Sequence, residues 1–289
     1  MRDRGDRLRL AAPAKLNLWL RVVGRRSDGF HELESLLVLL ELADGLTLVP
    51  DGAGLTVEGP HATSVPDDLT NLAWRGWTVG VKGEPGKERD HGGLVLDKHI
   101  PVAAGLGGGS SDAAAAWRLA GLASGESDDQ PDEAILAALA EVGADVPFFA
   151  SRAAAAQVGG IGEIVKPLEE WLGVEEVVLV HPPFNLSTAS VFAELRPADW
   201  STVREGPETS PGRNDLLPPA ARLRPELDDI FRLVSAAGGA PHLTGSGPTV
   251  FVLTDDPERA GGVARRIERA GLAATRTRLR AEPASIESW

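Results

Sequence analysis

The segment from Pro101 to Asp112, PVAAGLGGGSSD, constrains the fold of this chain more than any other part of its sequence. Four glycines within five positions let the backbone turn where a Cβ atom would clash. The alanine-rich stretch that follows predicts a helix from Ser110 or Ser111 to about Ala123. The free N–H groups and the dipole of a helix start then face the loop. The segment therefore predicts an anion-binding site, to which the two serines could add hydroxyl donors.

Two better-known glycine loops fit this segment poorly. It lacks the Gly-Lys-Ser/Thr ending of a P-loop. A dinucleotide-binding loop would follow the first strand of a βαβ unit, with an acid about twenty residues further on at a strand end. Asp128 and Asp129 lie near that distance, but in a polar stretch. A loop that only caps its helix is the simplest alternative, and the four glycines with two serines favour phosphate binding over it.

Composition narrows the classes of partner and compartment. A net charge of −13 disfavours a broad basic face for nucleic acid. The chain has no cysteine, which excludes disulfides, cysteine metal sites and a thiol nucleophile, and which fits a reducing compartment. Its apolar stretches are too short to span a bilayer, and Met1–Leu10 lacks the apolar region of a signal peptide. We expect a cytoplasmic protein that acts on a small molecule, without nucleic acid or membrane, as a monomer or weak homodimer.

The first half of the chain predicts short strands, followed by helices around the glycine segment. Ala43-Asp44-Gly45 has the composition of a hairpin turn between two of the strands. Pro131 and two acids predict the start of a helix that ends before Gly143. The predicted strands are Leu8–Ala11, Leu16–Val23, Glu34–Glu41, Leu46–Val49, Leu55–Glu58, Leu94–Lys98 and Ala153–Val158, and a further helix is Asn71–Val81.

The second half predicts an α+β arrangement of two helices flanking a small sheet. A boundary near Trp171 separates it from the first half, and Lys82–Gly93 and Trp200–Arg213 have the composition of polar loops. The predicted strands are Val177–Val180, His242–Thr244, Val250–Thr254 and a final one at Ala274–Leu279, and the predicted helices are Thr188–Leu195, Pro225–Ala237 and Pro257–Ala270.

The glycine segment resembles the ATP-binding motif of the GHMP kinases, Pro-x-x-x-Gly-Leu-Gly-Ser/Gly-Ser-Ser. The resemblance implies ATP as the phosphoryl donor. It also implies adenine-side contacts from Asn71 and Lys98. The nucleotide-binding residues that it implies in the loop are Pro101, Val102, Ala103, Ala104, Gly105, Leu106, Gly107, Gly108, Gly109, Ser110 and Ser111.

Further segments, in order along the chain, resemble one branch of that superfamily, the 4-diphosphocytidyl-2-C-methyl-D-erythritol kinases. They are Ala12–Leu18, Asp28–Leu33, Gly143–Phe149, Gly160–Glu163, Asn214-Asp215 and Thr244–Pro248. The branch implies phosphorylation of the substrate's 2-hydroxyl in the non-mevalonate route to isoprenoid precursors. It also implies a two-domain α/β fold of the α+β type, with a ribosomal-protein-S5-domain-2-like domain at 1–170 and a ferredoxin-like domain at 171–289. No cluster with metal-ligand spacing is present, so we expect Mg²⁺ to arrive with ATP.

Lys15 and Asp145 are the residues that this resemblance marks as catalytic. Asp145 follows a helix end and lies between Gly143 and Pro147, which predicts a rigid loop with Val146 extended. By itself it would be read as a turn residue, and the resemblance makes it the general base. A lysine at a strand start is usually solvated, and the resemblance instead assigns Lys15 to hold Asp145 as a carboxylate and to polarise the acceptor oxygen.

The acceptor pocket is also implied by the resemblance. Asn17 shares a strand face with Lys15, and His31 is expected to contact cytosine. Phe30, which stands where the branch usually has tyrosine, and Phe192 could stack on the two faces of that base, although both rings could equally be core. Thr188 is expected to cap its helix. The implied substrate-binding set is Asn17, Phe30, His31, Asp145, Thr188, Phe192, Gly245 and Ser246.

Three other functions stay open at this point. The nearest is another GHMP kinase, acting on mevalonate, homoserine or a sugar, against which Lys15, Asn17, Phe30 and His31 argue. A dinucleotide-dependent oxidoreductase is disfavoured by the position of the glycine loop. A non-catalytic nucleotide-binding regulator is disfavoured because both Lys15 and Asp145 are present.

Overall fold

The computed structural model describes residues 8–81, 92–126, 128–168, 175–201, 211–283 and 286–288, which form two β-sheets with helices packed on them. The predicted domain boundary and most of the two polar loops lie outside the described residues. Within the described ranges, no helix is long and apolar enough to cross a membrane. The strands are β1 Leu8–Arg25, β2 His31–Val49, β3 Gly54–Glu58, β4 Gly93–Asp97, β5 Ala155–Gly160, β6 Ile164–Pro167, β7 Glu176–His181, β8 His242–Leu243, β9 Val250–Thr254, β10 Ala273–Arg278 and β11 Ile286–Ser288. The helices are α1 Leu72–Gly80, α2 Gly108–Ala123, α3 Glu133–Val142, α4 Val146–Ala150, α5 Thr188–Glu194, α6 Leu217–Leu223, α7 Glu226–Ala236 and α8 Pro257–Arg269.

The first sheet has seven strands and is organised around the long strand β2. β2 pairs with β1 on one side, and on the other with β4 through residues 45–49 and with β5 through residues 33–38. β3 joins β4 in parallel, β6 joins β5, and β11 returns late in the chain to pair with β1. Helices α1 and α2 cover one face of this sheet, where Trp77, Leu94 and Leu119 are fully buried. The sheet therefore carries the glycine segment between its strand β4 and its covering helix α2.

The second sheet has the strand order β10-β7-β9-β8, and all of its pairs are antiparallel. Val178, Val180 and Val252 form a core with residues of α7 and α8, among them Val234 and Val263. Helix α8 has clear local signals, since the Asp256 side chain caps its first turn and Pro257 occupies its first position. The prediction of two helices flanking a small sheet is confirmed.

One apolar cluster joins the two sheets along the seam between them. Leu16 and Leu18 of β1 pack in the same apolar cluster as Val177, Leu179 and Phe251 of the second sheet. The backbone of β1 also pairs with residues 212–215, for example through the Leu20 N–H to the Arg213 carbonyl at 3.0 Å. Strand β1 therefore contributes residues to both sides of the seam.

The hairpin turn predicted at Ala43-Asp44-Gly45 is wrong. These residues stay within β2, where Asp44 lies opposite Ala12 and Gly45 opposite Ala11. The Asp44 carboxylate is buried and accepts the N–H groups of His99 and Ile100 at 2.6 and 2.8 Å. A residue type that favours turns is thus held in a strand by partners distant in sequence. For the same reason the strands predicted on either side of residues 43–45 form one strand.

Other local predictions also need correction. Val146 is not extended but is the first residue of α4, because Pro147 occupies the first turn of a helix, where its missing N–H costs nothing. Helix α2 begins at Gly108, before the predicted serines. Leu8–Ala11 and Leu16–Val23 are parts of the single strand β1, and β10 is followed by β11. Helices α4 and α6 and strand β6 were not predicted.

Candidate active site

A cavity of about 810 Å³ lies at the seam between the two halves, and it collects most of the predicted site residues. It is lined by strand β1, the β1–β2 turn, the glycine segment, the start of α4, helix α5 and the turn before β9. The predicted residues in its lining are Lys15, Asn17, Phe30, His31, Gly105, Gly107, Ser110, Asp145, Thr188, Phe192, Gly245 and Ser246. Residues from both halves of the chain therefore meet in one concave site.

Lys15 and Asp145 face each other in this cavity. The Lys15 Nζ lies 3.4 Å from the Asp145 Oδ2, although 130 positions separate the two residues in the chain. The Lys15 side chain is almost fully buried, whereas 32% of the Asp145 side chain is exposed. The Lys15 ammonium also donates to the Asn17 Oδ1 at 2.6 Å. A fixed cation thus lies beside a carboxylate that incoming molecules can reach.

An irregularity in β1 explains how Lys15 is positioned. The register with β2 shifts between Pro13 and Lys15, so that the Lys15 N–H does not join the ladder and instead donates to the Leu106 carbonyl at 2.9 Å. Such bulges commonly redirect a side chain next to a functional site. The shift joins the strand to the glycine segment and directs the lysine into the cavity.

Asn17 is fixed by three partners. Its N–H donates to the Thr244 Oγ1 at 3.0 Å, and its amide nitrogen donates to the Ser35 Oγ at 2.8 Å. Its amide oxygen accepts from the Lys15 ammonium. Because all these groups are buried, the amide orientation is defined and keeps Lys15 close to Asp145.

Asp145 occupies the N-cap position of α4, one turn after α3 ends at Val142. Its side chain makes no capping hydrogen bond, which leaves the carboxylate free to face Lys15. The turn at Ile161-Gly162 packs behind this segment, since a Cβ atom on Gly162 would lie 3.2 Å from the Ala144 carbonyl. In the sequence this turn is recognisable only as part of the motif Gly160–Glu163 and not as part of the site.

The glycine segment packs closely against groups on two sides. Gly107 has φ +70°, and a Cβ atom there would lie 2.9 Å from the Lys15 Cγ. Gly105 has φ +77°, and its Cβ atom would lie 2.9 Å from the carbonyls of Thr244 and Gly247. Both positions therefore combine a left-handed backbone with close neighbours, which only glycine accommodates.

The other residues of the predicted nucleotide loop differ in burial and in the element to which they belong. The side chains of Ala104 and Leu106 are buried in the shared core, and Val102 and Ala103 are exposed. Gly108, Gly109, Ser110 and Ser111 form the first turn of α2, whose first N–H groups have no partners within the helix. Any phosphate contact from this segment would come mainly from its backbone.

Aromatic rings form the other end of the cavity. His31 stacks on Phe192 with ring centroids 5.5 Å apart, and the edge of Trp200 approaches His31 at 5.9 Å. Phe30 is 58% exposed at the mouth of the cavity, and the ring that Phe192 stacks on is His31. Burial lowers the pKa of His31, and the nearby charge of Arg25 lowers it further. A neutral imidazole therefore faces the cavity at pH 7.

Thr188 and Ser246 connect helix α5 with the turn before β9. Their hydroxyl oxygens are 2.9 Å apart, and Ser187, not Thr188, caps α5. The turn is fixed from below by Asn214, whose amide nitrogen donates to the carbonyls of Leu243 and Gly245 at 2.9 and 2.8 Å. Asn214 belongs to the sequence motif Asn214-Asp215, and its side chain holds this turn in place.

Asn71 and Lys98 do not line the cavity. The Asn71 side chain caps α1, accepting from the Ala73 N–H and donating to the Pro66 carbonyl. The Lys98 ammonium is buried between Asp44 and Asp112, so it is not available for the predicted nucleotide contact. Its burial results from packing across three elements, which the local sequence does not reveal.

Several residues of the site were missed by the sequence analysis. Ser35 carries the only hydroxyl within an otherwise apolar part of β2, and this could have marked it. Arg25 is the last residue of β1, the strand that bears Lys15, and it lines the cavity. Trp200 had no local signal, because it reaches His31 from a segment that was predicted to be a polar loop.

Comparison with known protein families gives two matches along the chain. The family model described as the GHMP kinases N-terminal domain matches residues 74–152, which include the glycine segment and Asp145. The model described as GHMP kinases C-terminal matches residues 199–273, which include the turn at Gly245. The two matches therefore include part of the cavity lining from each half of the chain, whereas β1, β2 and α5 lie outside the matched ranges.

Individual relatives agree with the family models. A protein from Rhodopseudomonas palustris strain BisA53, named 4-diphosphocytidyl-2-C-methyl-D-erythritol kinase, is 38% identical over 284 residues, covering 90% of this chain and 92% of its own. A crystal structure of 4-(cytidine 5′-diphospho)-2C-methyl-D-erythritol kinase superposes with a TM-score of 0.73 at 35% identity, covering 94% of this chain and 98% of that one. Homoserine kinase from Cytophaga hutchinsonii has the same fold, with a TM-score of 0.68 at 15% identity and coverage of 100% of this chain and 99% of its own.

Proposed function

The chain belongs to the 4-diphosphocytidyl-2-C-methyl-D-erythritol kinases of the GHMP superfamily, and on this premise we propose that it transfers the γ-phosphoryl group of ATP to the 2-hydroxyl of that cytidylated alcohol. The two-domain GHMP fold agrees with the predicted fold class. The product would be the 2-phosphate together with ADP, a step in the non-mevalonate route to isoprenoid precursors.

One observation carries this proposal. The carboxylate of Asp145 and the ammonium of Lys15 lie 3.4 Å apart in a cavity that has the glycine segment at one end and aromatic rings at the other. Phosphoryl transfer requires mainly positioning and neutralisation of charge, with a base near the attacking hydroxyl. Asp145 is the exposed member of the pair, so we assign it as the base that accepts the proton of the 2-hydroxyl. Lys15 would stabilise the negative charge that develops on the acceptor and phosphoryl oxygens.

The triphosphate would lie against the glycine segment. The first turn of α2 directs its unpaired N–H groups and its positive dipole end toward one point, and Gly107 brings the backbone close to Lys15. Among the described residues, no group of three or more His, Cys, Asp or Glu side chains could hold a metal ion. We therefore treat Mg²⁺ as part of the ATP substrate, with phosphate oxygens and water as its main ligands.

The cytidine end of the acceptor would lie at the aromatic end of the cavity. The neutral ring of His31, supported by Phe192 and Trp200, offers one donor and one acceptor to the edge of a cytosine. Phe30 at the mouth could close over the base by stacking. Thr188, Gly245 and Ser246 line the side between base and acceptor hydroxyl, where they would contact the diphosphate.

Phosphate transfer from ATP to 4-diphosphocytidyl-2-C-methyl-D-erythritol, followed by phosphorus NMR, tests the proposal directly. We expect a new phosphomonoester resonance coupled to the position-2 carbon, together with ADP. Methylerythritol without the cytidine diphosphate, mevalonate and homoserine serve as comparison acceptors, and we expect each to react at least about 100-fold more slowly, since the site's polar groups would remain unpaired. Equal rates on any of these acceptors would contradict the assigned substrate, and absence of ADP formation with all of them would contradict a kinase.

The wider setting is proposed on the same premise. We propose that the chain acts in the cytoplasm as a monomer or weak homodimer and does not bind nucleic acid, as its charge of −13 favours. Size-exclusion chromatography with light scattering measures the assembly state, and a stable higher oligomer would contradict it.

A further inference from the structure

A closed cluster of charges lies directly behind the glycine segment. Lys98, directly after β4, is 3% exposed, and Asp44 and Asp112 are each 2% exposed. The Lys98 Nζ lies 2.5 Å from the Asp44 Oδ2 and 2.6 Å from the Asp112 Oδ2. A buried charge cluster is maintained only when its members pair closely, because the desolvation of each ion is costly. We call these three residues the Lys98 cluster.

Each member of the Lys98 cluster holds a different part of the glycine segment's frame. The other oxygen of Asp44 accepts the N–H groups of His99 and Ile100, the residues that lead into the segment. Asp112 belongs to the first turns of α2, which the segment leads into. Lys98 joins the two carboxylates, so a single ammonium connects the chain before the segment with the chain after it.

The cluster also lies very close to the expected phosphate position. A Cβ atom on Gly108, the first residue of α2, would lie 3.0 Å from the Lys98 Nζ. The ammonium is therefore packed against the backbone that would cradle phosphate, although it is shielded from the cavity itself.

We propose that Lys98, held by Asp44 and Asp112, is a positioning residue that sets the spacing between the two ends of the glycine segment and thereby the affinity of the site for the triphosphate of ATP. The inference rests on the proposed kinase function, since it deepens the role of the same site. It replaces the direct nucleotide contact expected of Lys98 with an indirect action through the backbone.

The protonation states of the Lys98 cluster add an electrostatic contribution to this positioning role. Burial raises the pKa of Asp112 to about 8; the charge of Lys98 acts against this rise and the charge of Asp44 adds to it. Burial acts to lower the pKa of Lys98, but its pairing with the two acidic neighbours raises this pKa overall. Among the described residues the Asp112 Oδ1 has no hydrogen-bond partner, so this carboxyl is held through its Oδ2 by the Lys98 ammonium. One ammonium, one carboxylate and one neutral carboxyl then make the cluster neutral.

Substitution of Lys98 tests the positioning role. Lys98→Met keeps the aliphatic stem and removes the ammonium, so the two ends of the segment lose their connection. We expect the KM for MgATP and the Kd for ADP to rise about tenfold or more, as small misplacements in preorganised sites do. The KM for the acceptor should stay within about twofold, because Lys98 does not border the aromatic end.

The ion pair of Arg118 with Asp128 provides the matched control, since Arg118 lies on α2, the helix that also carries Asp112. Arg118 is 7% exposed and pairs with Asp128 through two hydrogen bonds of 3.0 and 2.8 Å, away from the glycine segment. Arg118→Met removes a comparable buried charge and should lower stability without changing the KM for MgATP. If Arg118→Met and Lys98→Met raised this KM equally, or if Lys98→Met affected both substrates equally, the positioning role would be excluded.

Two substitutions at Asp112 keep the proposal testable if Lys98→Met fails to fold. Asp112→Asn retains an oxygen that can accept from the ammonium, whereas Asp112→Leu does not, so the KM for MgATP should be clearly higher in the leucine variant. In the wild type, this KM should rise several-fold between pH 7 and pH 9 as Asp112 loses its proton beneath the triphosphate. Asp112→Asn should lose this rise, and retention of the same pH profile would overturn the electrostatic part.

Binding of ADP separates failure of this inference from failure of the proposed reaction. Isothermal titration with ADP and Mg²⁺ needs no acceptor and no turnover. If the wild type binds ADP but phosphorylates none of the acceptors, the reaction assignment fails while the comparison of Lys98→Met with Arg118→Met still stands. If Lys98→Met binds ADP as tightly as the wild type, the inference fails whatever the acceptor.

Discussion

Two buried lysines pack against the glycine segment, Lys15 beside Gly107 and Lys98 beside Gly108, and their surroundings differ in one decisive respect. Lys15 faces a single carboxylate at 3.4 Å, and that carboxylate is one-third exposed to a cavity. Lys98 lies between two carboxyl groups within 2.6 Å, and all three groups are shielded from solvent. The same pair of residue types therefore forms an open site in one place and a closed support in the other.

The comparison shows that similar charged groups have different functions when the fold buries and pairs them differently. An open pair can exchange protons with an incoming molecule, because one member remains accessible. A closed cluster cannot contact substrate, but its hydrogen bonds fix the backbone around it. Residue type alone did not separate the two lysines in the sequence, and burial with partner geometry does.

The largest effect on catalysis should come from the open pair, Lys15 and Asp145. Asp145→Asn removes the proposed base while preserving side-chain shape, so we expect kcat to fall by about 10²–10⁴-fold. The Kd for ADP should stay within about threefold, because the carboxylate is not part of the glycine segment. Asp132→Asn is the matched control, since Asp132 caps α3 outside the cavity and asparagine is an equally good cap. Wild-type turnover in Asp145→Asn would contradict the assignment of the base.

A smaller effect should follow from disturbing the contact between the segment and the open pair. Gly107→Ala places a methyl group 2.9 Å from the Lys15 Cγ on a left-handed backbone, so kcat/KM should fall by roughly 10–100-fold. Gly125 has φ +80° with no atom within 4 Å of its Cβ position. Gly125→Ala therefore carries the backbone strain alone, and steady-state kinetics should show little change in it. If both variants lost the same activity, backbone strain and not Lys15 would be the cause.

Truncation at the cavity mouth should have a more modest and selective effect. Phe30→Ala removes an exposed ring that could stack on cytosine, so the KM for the acceptor should rise several-fold, in line with about 1 kcal/mol for such a contact. The KM for ATP should not change. Leu69→Ala, an exposed apolar residue outside the cavity lining, provides the control for loss of apolar surface. Equal changes for both substrates would argue against stacking.

The last prediction concerns stability and the proton that Asp112 holds in the closed cluster. The folded chain keeps a proton on Asp112 up to about pH 8, whereas the unfolded chain releases it near the ordinary value of 3.8. The folded state therefore binds more protons in this window, so its stability should decrease as pH rises from 4 to 8, by up to about 1.4 kcal/mol per pH unit. Urea unfolding of wild type and Asp112→Asn measures this slope, and we expect the asparagine variant to lack the contribution. Parallel curves for the two proteins would refute it.

Much of the fold could be predicted from local signals. Helix α8 has a capping aspartate, a proline at its first position and arginines in its last turn, and its limits agree with the prediction to within one residue. The full-length order of motifs predicted the family and the reaction, and the relatives agree with both. These parts depend on neighbouring residues or on motifs, which a sequence displays directly.

The remaining parts depend on contacts between distant residues. Ala43-Asp44-Gly45 has the composition of a turn, but its pairing with β1 and the partners of Asp44 at residues 98–100 keep it in a strand. Trp200 reaches His31 across 169 positions with no local pattern. The approach of Lys15 to Asp145 follows from a shift in strand register that no composition rule predicts. The motifs could thus identify many of the residues that form the site, but not how those residues are arranged in space.

The contact between Gly105 and the turn at residues 244–247 has a practical consequence for protein engineering. A Cβ atom at Gly105 would touch two carbonyls of the other half, so the two turns interlock with almost no free space. A chimera that joins the first half of this chain to the second half of another GHMP kinase would have to match both turns at once. Exchange of donor and acceptor specificity by recombination should therefore succeed only when the crossover transfers this pair of turns as one unit.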